Sequence, residues 1–339
     1  MDDDRFASGT GSASGPQKKT ENARTMAGFT GGVFAREPMS GAIALTRYES
    51  ALRDAACVHA RDRVFVAFID SDGSNSQSRV FAPGESIVFG RHEQARLHHS
   101  SMDVSLRHVA IAVAPSSTAE APLIRMWDLA TERPFKTEDG MVSKAVTADG
   151  PVFASVGAVH LAVIPLGVLP EKLPMGTRAL WKALPARDVL SRVAGGSAVR
   201  PVPEPQERHP GRITRVTRIP SAAAPQDCAP GMAIAELCLT SDEASRTYRI
   251  SLEALERGIL IGRYARCLSI AGELESLSRV HLLISKIGRD VVAIDTASTF
   301  GSTRSMERAF ETAVLAEHDK MLLANALLVE WRYDRLVFA

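Results

Sequence analysis

Within the stretch Gly258 to Ser302, polar residues gather at the ends of three apolar runs. Gly262-Arg263 closes the first run and Ser278-Arg279-Val280-His281 opens the second. Asp295-Thr296-Ala297-Ser298-Thr299-Phe300-Gly301-Ser302 closes the third, Val291 to Ile294. A guanidinium offers a rigid fork of donors to phosphate or carbonyl oxygens, and a serine or threonine offers a hydroxyl beside it. Such groups can converge on one ligand. No acid or thiol stands at a spacing from His281 that would make it a catalytic base. The chain also has no G-x-x-x-x-G-K-[ST], H-E-x-x-H or G-x-S-x-G pattern, so binding is expected and catalysis is not.

Such clusters act together only if the elements that carry them converge. The three runs read as strands, led by Ala233 to Leu239 and Tyr248 to Leu252 and followed by a hairpin over Met321 to Trp331. The loops of a β-sandwich collect at its two ends, so polar groups at successive strand ends can meet on one ligand.

The order of these motifs resembles the forkhead-associated domain, a β-sandwich family whose members commonly bind phosphothreonine peptides. The family pattern is Gly-Arg, then Ser-Arg-x-His, then Ser-Thr-Asn-Gly-Thr after an Asp. The resemblance implies phosphopeptide contacts from Arg263, Ser278, Arg279, Ser298 and Thr299, with Gly262, His281 and Gly301 as structural members of the site. It also implies that His281 braces the loops through hydrogen bonds. The chain departs from the pattern at Phe300, where the family has Asn, and at Ser302, where it has Thr. The family's Asn ties down the peptide main chain. Losing one or two such hydrogen bonds costs roughly 1 to 3 kcal/mol, or about tenfold to a hundredfold in affinity.

A second set of the same motifs precedes the first. Ser86 to Arg91 ends in Gly90-Arg91, and Ser105-Leu106-Arg107-His108 then opens a strand over Val109 to Ala114. The offset from Gly90 to Gly262 is 172 positions and from His108 to His281 is 173, which argues for an internal repeat. The strand Leu123 to Trp127 ends in Asp128 as Ile294 ends in Asp295, and Val152 to Val163 closes the copy as a hairpin. This copy is degenerate: Gly90, Arg91, Ser105 and His108 match, but the arginine falls one place late. In an extended segment a one-residue shift turns the side chain to the opposite face, so Arg107 is not expected where Arg279 stands. Glu132 and Pro134 replace the expected turn after Asp128, and a carboxylate there repels a phosphate.

The chain has 339 residues, a length that suits two domains. The expected fold is all-β: two forkhead-associated-like sandwiches over 61–168 and 231–335, joined by a Pro/Ala/Gly-rich linker with a short helix over 169–230. A disordered tail over 1–38 and a short helical segment over 39–60 precede them. A net charge of +1 gives no overall field for nucleic acid, and no run approaches the length of a membrane span. The basic segment Arg212 to Ile219 has no aromatic for base stacking and reads as solvated linker or edge strand. Cys57, Cys228, Cys238 and Cys267 are scattered, which disfavours a zinc site or a disulfide framework and fits a reducing cytoplasm.

Together these features lead us to expect a cytoplasmic, non-catalytic adaptor that binds phosphothreonine peptides through its second domain, with no metal or cofactor. Its partner would be a phosphorylated Ser/Thr-kinase substrate, or its own tail through Thr10, Thr20, Thr25 or Thr30. Neither nucleic acid nor membrane is an expected partner. The competing expectation is a phosphate-independent assembly scaffold built from the same two domains.

Overall fold

Among the described strands some bury one apolar face and others bury both, and the difference sets how the sheets stack. The computed structural model describes residues 40–114, 122–191, 213–219, 228, 230–270, 275–305 and 308–333. The tail 1–38, with its threonines, and most of the segment Gly195 to Ala229 lie outside the described residues.

Helix α1 (Gly41–Val58) is capped by Ser40, whose hydroxyl accepts from the Ile43 amide. It leads into β1 (Val64–Asp70), β2 (Ser76–Phe81), β3 (Ser86–Gly90), β4 (Leu97–His98), β5 (Val109–Val113) and β6 (Ile124–Asp128). Next come β7 (Lys136–Thr137), β8 (Ala145–Ala148), β9 (Val152–Val156), β10 (Val159–Pro165), α2 (Thr177–Ala183), β11 (Arg187–Ser191) and β12 (Thr214–Ile219). These strands form two sheets, ordered β2-β1-β10-β9-β7 and β11-β12-β8-β6-β5-β3-β4.

The remaining strands are β13 (Ala233–Thr240), β14 (Ser245–Ser251), β15 (Ile259–Ile261), β16 (Leu282–Ile287), β17 (Asp290–Asp295), β18 (Ser302–Arg304), β19 (Arg308–Ala309), β20 (Thr312–Val314), β21 (Asp319–Leu323) and β22 (Leu327–Tyr333). Helix α3 (Leu252–Arg257) interrupts them after β14. Their sheets run β14-β13-β22-β21-β18-β19 and β15-β16-β17-β20. The strand order follows the first sandwich: β13, β14, β22, β21 and β18 take the places of β1, β2, β10, β9 and β7, and β15, β16, β17 and β20 those of β3, β5, β6 and β8.

The fold is thus all-β with short helices, and each sandwich has its own core. Val64, Val66 and Phe68 of β1 face Val109, Ile111 and Val113 of β5 in the first, while Leu237 and Leu239 of β13 face Leu282 and Ile284 of β16 in the second. The alternate residues of β1, Phe65, Ala67 and Ile69, are buried against α1 and α2, so β1 is apolar at nearly every position. β13 has no such cover and alternates buried with part-exposed residues.

A third apolar layer lies between the sandwiches. Ala110, Ala112 and Trp127 from the first meet Leu283, Ile287, Val292 and Ile294 from the second. All described residues belong to one compact unit. The small alanines of β5 let the two sheets approach, and Trp127 packs on Gly258, where a Cβ would come within 2.8 Å of its ring. Polar contacts frame this layer: Ser86 Oγ and Thr312 Oγ1 lie 2.5 Å apart, Arg96 pairs with Glu311, and Arg125 donates to the Glu256 carbonyl.

Two stretches expected as linker are strands. β12 pairs antiparallel with β8, and β11 pairs parallel with β12, both extending a sheet of the first sandwich. Thr214 and Val216 are buried while Arg215 is exposed, the period-2 pattern of a half-covered strand. Arg218 is buried too, paired with Asp139 at 3.1 Å, so the segment is neither a solvated linker nor an edge. No helix of the described residues is long and apolar enough to cross a membrane.

Candidate functional site

The site is built on a close backbone approach. β15 ends at Ile261, and Gly262 then passes against the segment that leads into β16. A Cβ on Gly262 would lie 2.9 Å from both the Ser278 oxygen and the Arg279 carbonyl carbon, and closer still to the Arg279 oxygen. Only glycine fits there. Hydrogen bonds stitch the approach: Arg263 N–H to the Ser278 carbonyl at 3.1 Å, Tyr264 N–H to the Arg279 carbonyl at 3.0 Å, and His281 N–H to the Ile261 carbonyl at 2.8 Å. Arg263, Ser278 and Arg279 are thereby brought to one corner of the sandwich.

His281 joins this corner to the third loop. Its ring is fully buried; Nδ1 accepts from the Ser278 amide at 3.3 Å and Nε2 donates to the Gly301 carbonyl at 3.0 Å. That pair of bonds requires the neutral ring, and burial holds its pKa below the usual histidine range despite the opposing charge of Asp295.

The third loop is organised by Asp295, which the motif comparison did not count among the site residues. Its carboxylate accepts from the Ser298 amide at 2.7 Å, from Ser298 Oγ at 2.7 Å and from Ser302 Oγ at 2.6 Å. This wraps a turn in which Ala297 adopts φ 60° and Gly301 φ 74°. Ser298 is turned inward, 5% exposed, with its proton directed at Asp295. The expectation that its hydroxyl faces a ligand is therefore corrected: the carboxylate cap draws it into the turn. Thr299 and Phe300 are exposed, and Phe300 stands 65% accessible at the loop tip.

Ser278 sits where the three loops meet. Its hydroxyl oxygen accepts from the Thr299 amide at 3.2 Å and from Arg107 Nη2 at 3.4 Å. A serine hydroxyl has two lone pairs and one proton, so both acceptor positions are filled and the proton remains to be donated. Arg263 and Arg279 flank it with exposed side chains, and neither makes a side-chain hydrogen bond or ion pair among the described residues. Arg279 forms no ion pair with Glu275; Glu273 lies outside the described residues.

The first sandwich has the same backbone approach with different side chains. Arg91 N–H bonds the Ser105 carbonyl at 2.9 Å, His92 N–H the Leu106 carbonyl at 2.8 Å, and His108 N–H the Phe89 carbonyl at 2.9 Å. A Cβ on Gly90 would lie 2.9 Å from the Leu106 carbonyl carbon. His108 Nδ1 accepts from the Ser105 amide at 3.0 Å, and its Nε2 donates to the Arg133 carbonyl at 2.9 Å. Leu106 thus takes the place of Arg279, and Arg107 that of Val280, pointing into the layer between the sandwiches. Arg107 is 8% exposed, and its Nε and Nη2 donate to the Ala297 carbonyl at 2.9 and 2.6 Å. Arg266 reciprocates, donating from the second sandwich to the Ala130 and Thr131 carbonyls at 3.3 Å each. Neither cross-contact was anticipated. The signal for them is a strand apolar on both faces, which needs a partner for its second face.

No protein-family model matches the sequence, and no curated protein matches it. Among solved structures the chain is similar to the FHA domain of the CT664 protein from Chlamydia trachomatis, with 16% identity, 30% of this chain and 96% of that one covered, and a TM-score of 0.26. It is similar to the first FHA domain of Rv1747 from Mycobacterium tuberculosis, at 20% identity over 30% of this chain and 100% of that one, TM-score 0.25. It is also similar to the FHA1 domain of yeast Rad53, at 15% identity over 32% and 83% of the two chains, with a TM-score of 0.27.

Proposed function

We propose that this chain is a non-catalytic adaptor that reads phosphothreonine peptides through the loop cluster of its second sandwich, and that its two sandwiches are tandem copies of one forkhead-associated-like module. The observation that carries this reading is the Ser278 hydroxyl. Its lone pairs are filled, no described acceptor takes its proton although the residue is only 7% exposed, and the adjoining Arg263 and Arg279 are exposed with no side-chain partner among the described residues. A phosphate oxygen accepts from all three, and Arg263 and Arg279 supply the charge-assisted bonds that hold it. Thr299 lies beside this point and faces the peptide. Ser298 acts through the turn it makes with Asp295. The first sandwich, with Leu106 in place of an arginine and Glu132 in the turn, serves as a docking unit.

The ligand in this reading is the product of a Ser/Thr kinase acting on a cytoplasmic partner, or on one of Thr10, Thr20, Thr25 and Thr30 of the chain itself. One observation favours the competing scaffold reading: Phe300 presents an apolar ring at the loop tip, suited to a phosphate-independent contact. Titration of the full chain with paired phosphorylated and unphosphorylated threonine peptides from a degenerate library separates the two. Phosphate-dependent binding that weakens with salt and disappears in Arg263→Ala, while the melting temperature stays within a degree or two, is expected. Equal affinity for both members of every pair would remove the phosphopeptide reading and leave the scaffold.

A further inference from the structure

We infer that Arg107, a side chain of the first sandwich, is a positioning residue for the anion site of the second, so that the site is incomplete without its neighbour. The inference rests on the phosphopeptide reading for its consequence in binding, but its geometry stands apart from any ligand. Arg107 clamps the Ala297 carbonyl with two nitrogens and reaches Ser278 Oγ with one of them. It therefore holds the two loops that must face one phosphate at once. Ala297 is in the left-handed region, an uncommon place for an alanine, and Thr299, two residues on, donates its amide to the same serine oxygen. The Arg107 fork fixes the carbonyl just before the Ser298 amide, and with it the direction in which Thr299 and Phe300 leave the turn.

No described residue of the second sandwich makes these contacts in its stead. The matching position there is Val280, buried in the apolar layer. Nor is the guanidinium a surface charge caught by chance: it is buried, and a buried cation persists only where its donors are satisfied. Arg266, which makes the reciprocal contact on Ala130, is exposed, bonds at 3.3 Å, and makes no bond to Ser105. The two arginines come from different loops but reach corresponding turns, Ala297 and Ala130, with unlike effect, which supplies a control.

The test uses the full chain, with Arg107→Met, Arg107→Lys and Arg266→Met. Amide hydrogen exchange at Ser298 and Thr299 is followed without ligand, and binding of free phosphothreonine and of inorganic phosphate is followed by the NMR shifts of the Ser278 and Thr299 amides. Arg107→Met is expected to speed exchange at Thr299 at least tenfold and to weaken phosphothreonine about tenfold or more. Lysine keeps the charge without the fork and should recover only part of both. Arg266→Met should leave both within twofold although it also cuts a contact between the sandwiches. If Arg107→Met fails to fold, the lysine variant carries both measurements. Exchange and affinity within twofold of the parent in the Arg107 variants would overturn the inference. If the parent binds neither probe, the phosphopeptide reading falls, while the exchange result still decides whether Arg107 holds the loop.

Discussion

Gly262→Ala probes the contact on which the whole loop cluster rests. An added Cβ would sit 2.9 Å from the Ser278 oxygen and the Arg279 carbonyl carbon, both backbone atoms with no flexible end to swing aside. Restoring ordinary carbon contacts needs a separation of about 1 Å more. The three hydrogen bonds across the approach measure 3.1, 3.0 and 2.8 Å, so the same displacement carries them out of bonding range. At about 0.5 to 1.5 kcal/mol net for each bond, the substitution should cost roughly 2 to 4 kcal/mol. For a unit of this size each kcal/mol lowers the melting temperature by roughly 2 to 4 °C, giving a fall of about 5 to 15 °C. Gly90→Ala meets the equivalent obstacle, with the Leu106 carbonyl carbon at 2.9 Å and Arg107 Cα at 3.0 Å, and should cost a similar amount. Thermal unfolding by circular dichroism measures both. A melting temperature within about 2 °C of the parent for either variant would show that the approach relaxes freely, and the argument that only glycine fits would be wrong.

Phe300→Asn places an amide where the exposed ring now stands and should strengthen phosphothreonine-peptide binding about tenfold, read by calorimetric titration; unchanged affinity would show that the peptide main chain does not pass this residue. Acid should destabilise the fold through His281 and His108, whose folded pKa values burial lowers. The unfolded chain then binds protons first as pH falls through about 6.5, so the stabilisation is complete above that pH and is lost as pH drops toward the folded values. Denaturant midpoints between about pH 7.5 and 5 should fall with pH and fall less in His281→Asn, and parallel profiles for the two would refute this.

What the sequence disclosed and what it concealed divide along a physical line. The close approach at Gly262 and the bracing ring of His281 were legible because both are local, a strand end and a ring at fixed spacing, and the offsets of 172 and 173 marked a matching pattern in the first half. Ser298 was misread because a hydroxyl beside an exposed threonine gives no sign of direction until the Asp295 carboxylate is placed three residues before it. β11 escaped, and β12 was read only as linker or edge strand, because the parallel pairing that covers β12 joins residues 187–191 to 214–218, contacts that no local pattern encodes. Arg107 was read correctly as turned away from the place of Arg279, but its destination lies on another sheet. The apolar runs of β5, β16 and β17 held the missing clue: Ala110 and Ala112, or Leu283 and Ile287, fall on the face that a lone sandwich would give to solvent.

The reciprocal arginines also say something about how the two halves are free to differ. An interface formed by the same surface from each side, as between identical subunits, obliges every substitution to appear twice across the two-fold axis. Joined in one chain, the matching positions vary independently. Arg107 stands opposite a turn that it clamps, while its counterpart Val280 fills the apolar layer with no charge to desolvate. Two subunits of identical sequence would have to bury two guanidiniums there or none. Covalent linkage lets one half keep the exposed loop cluster and the other supply the brace, a division of labour that a symmetric dimer cannot reach.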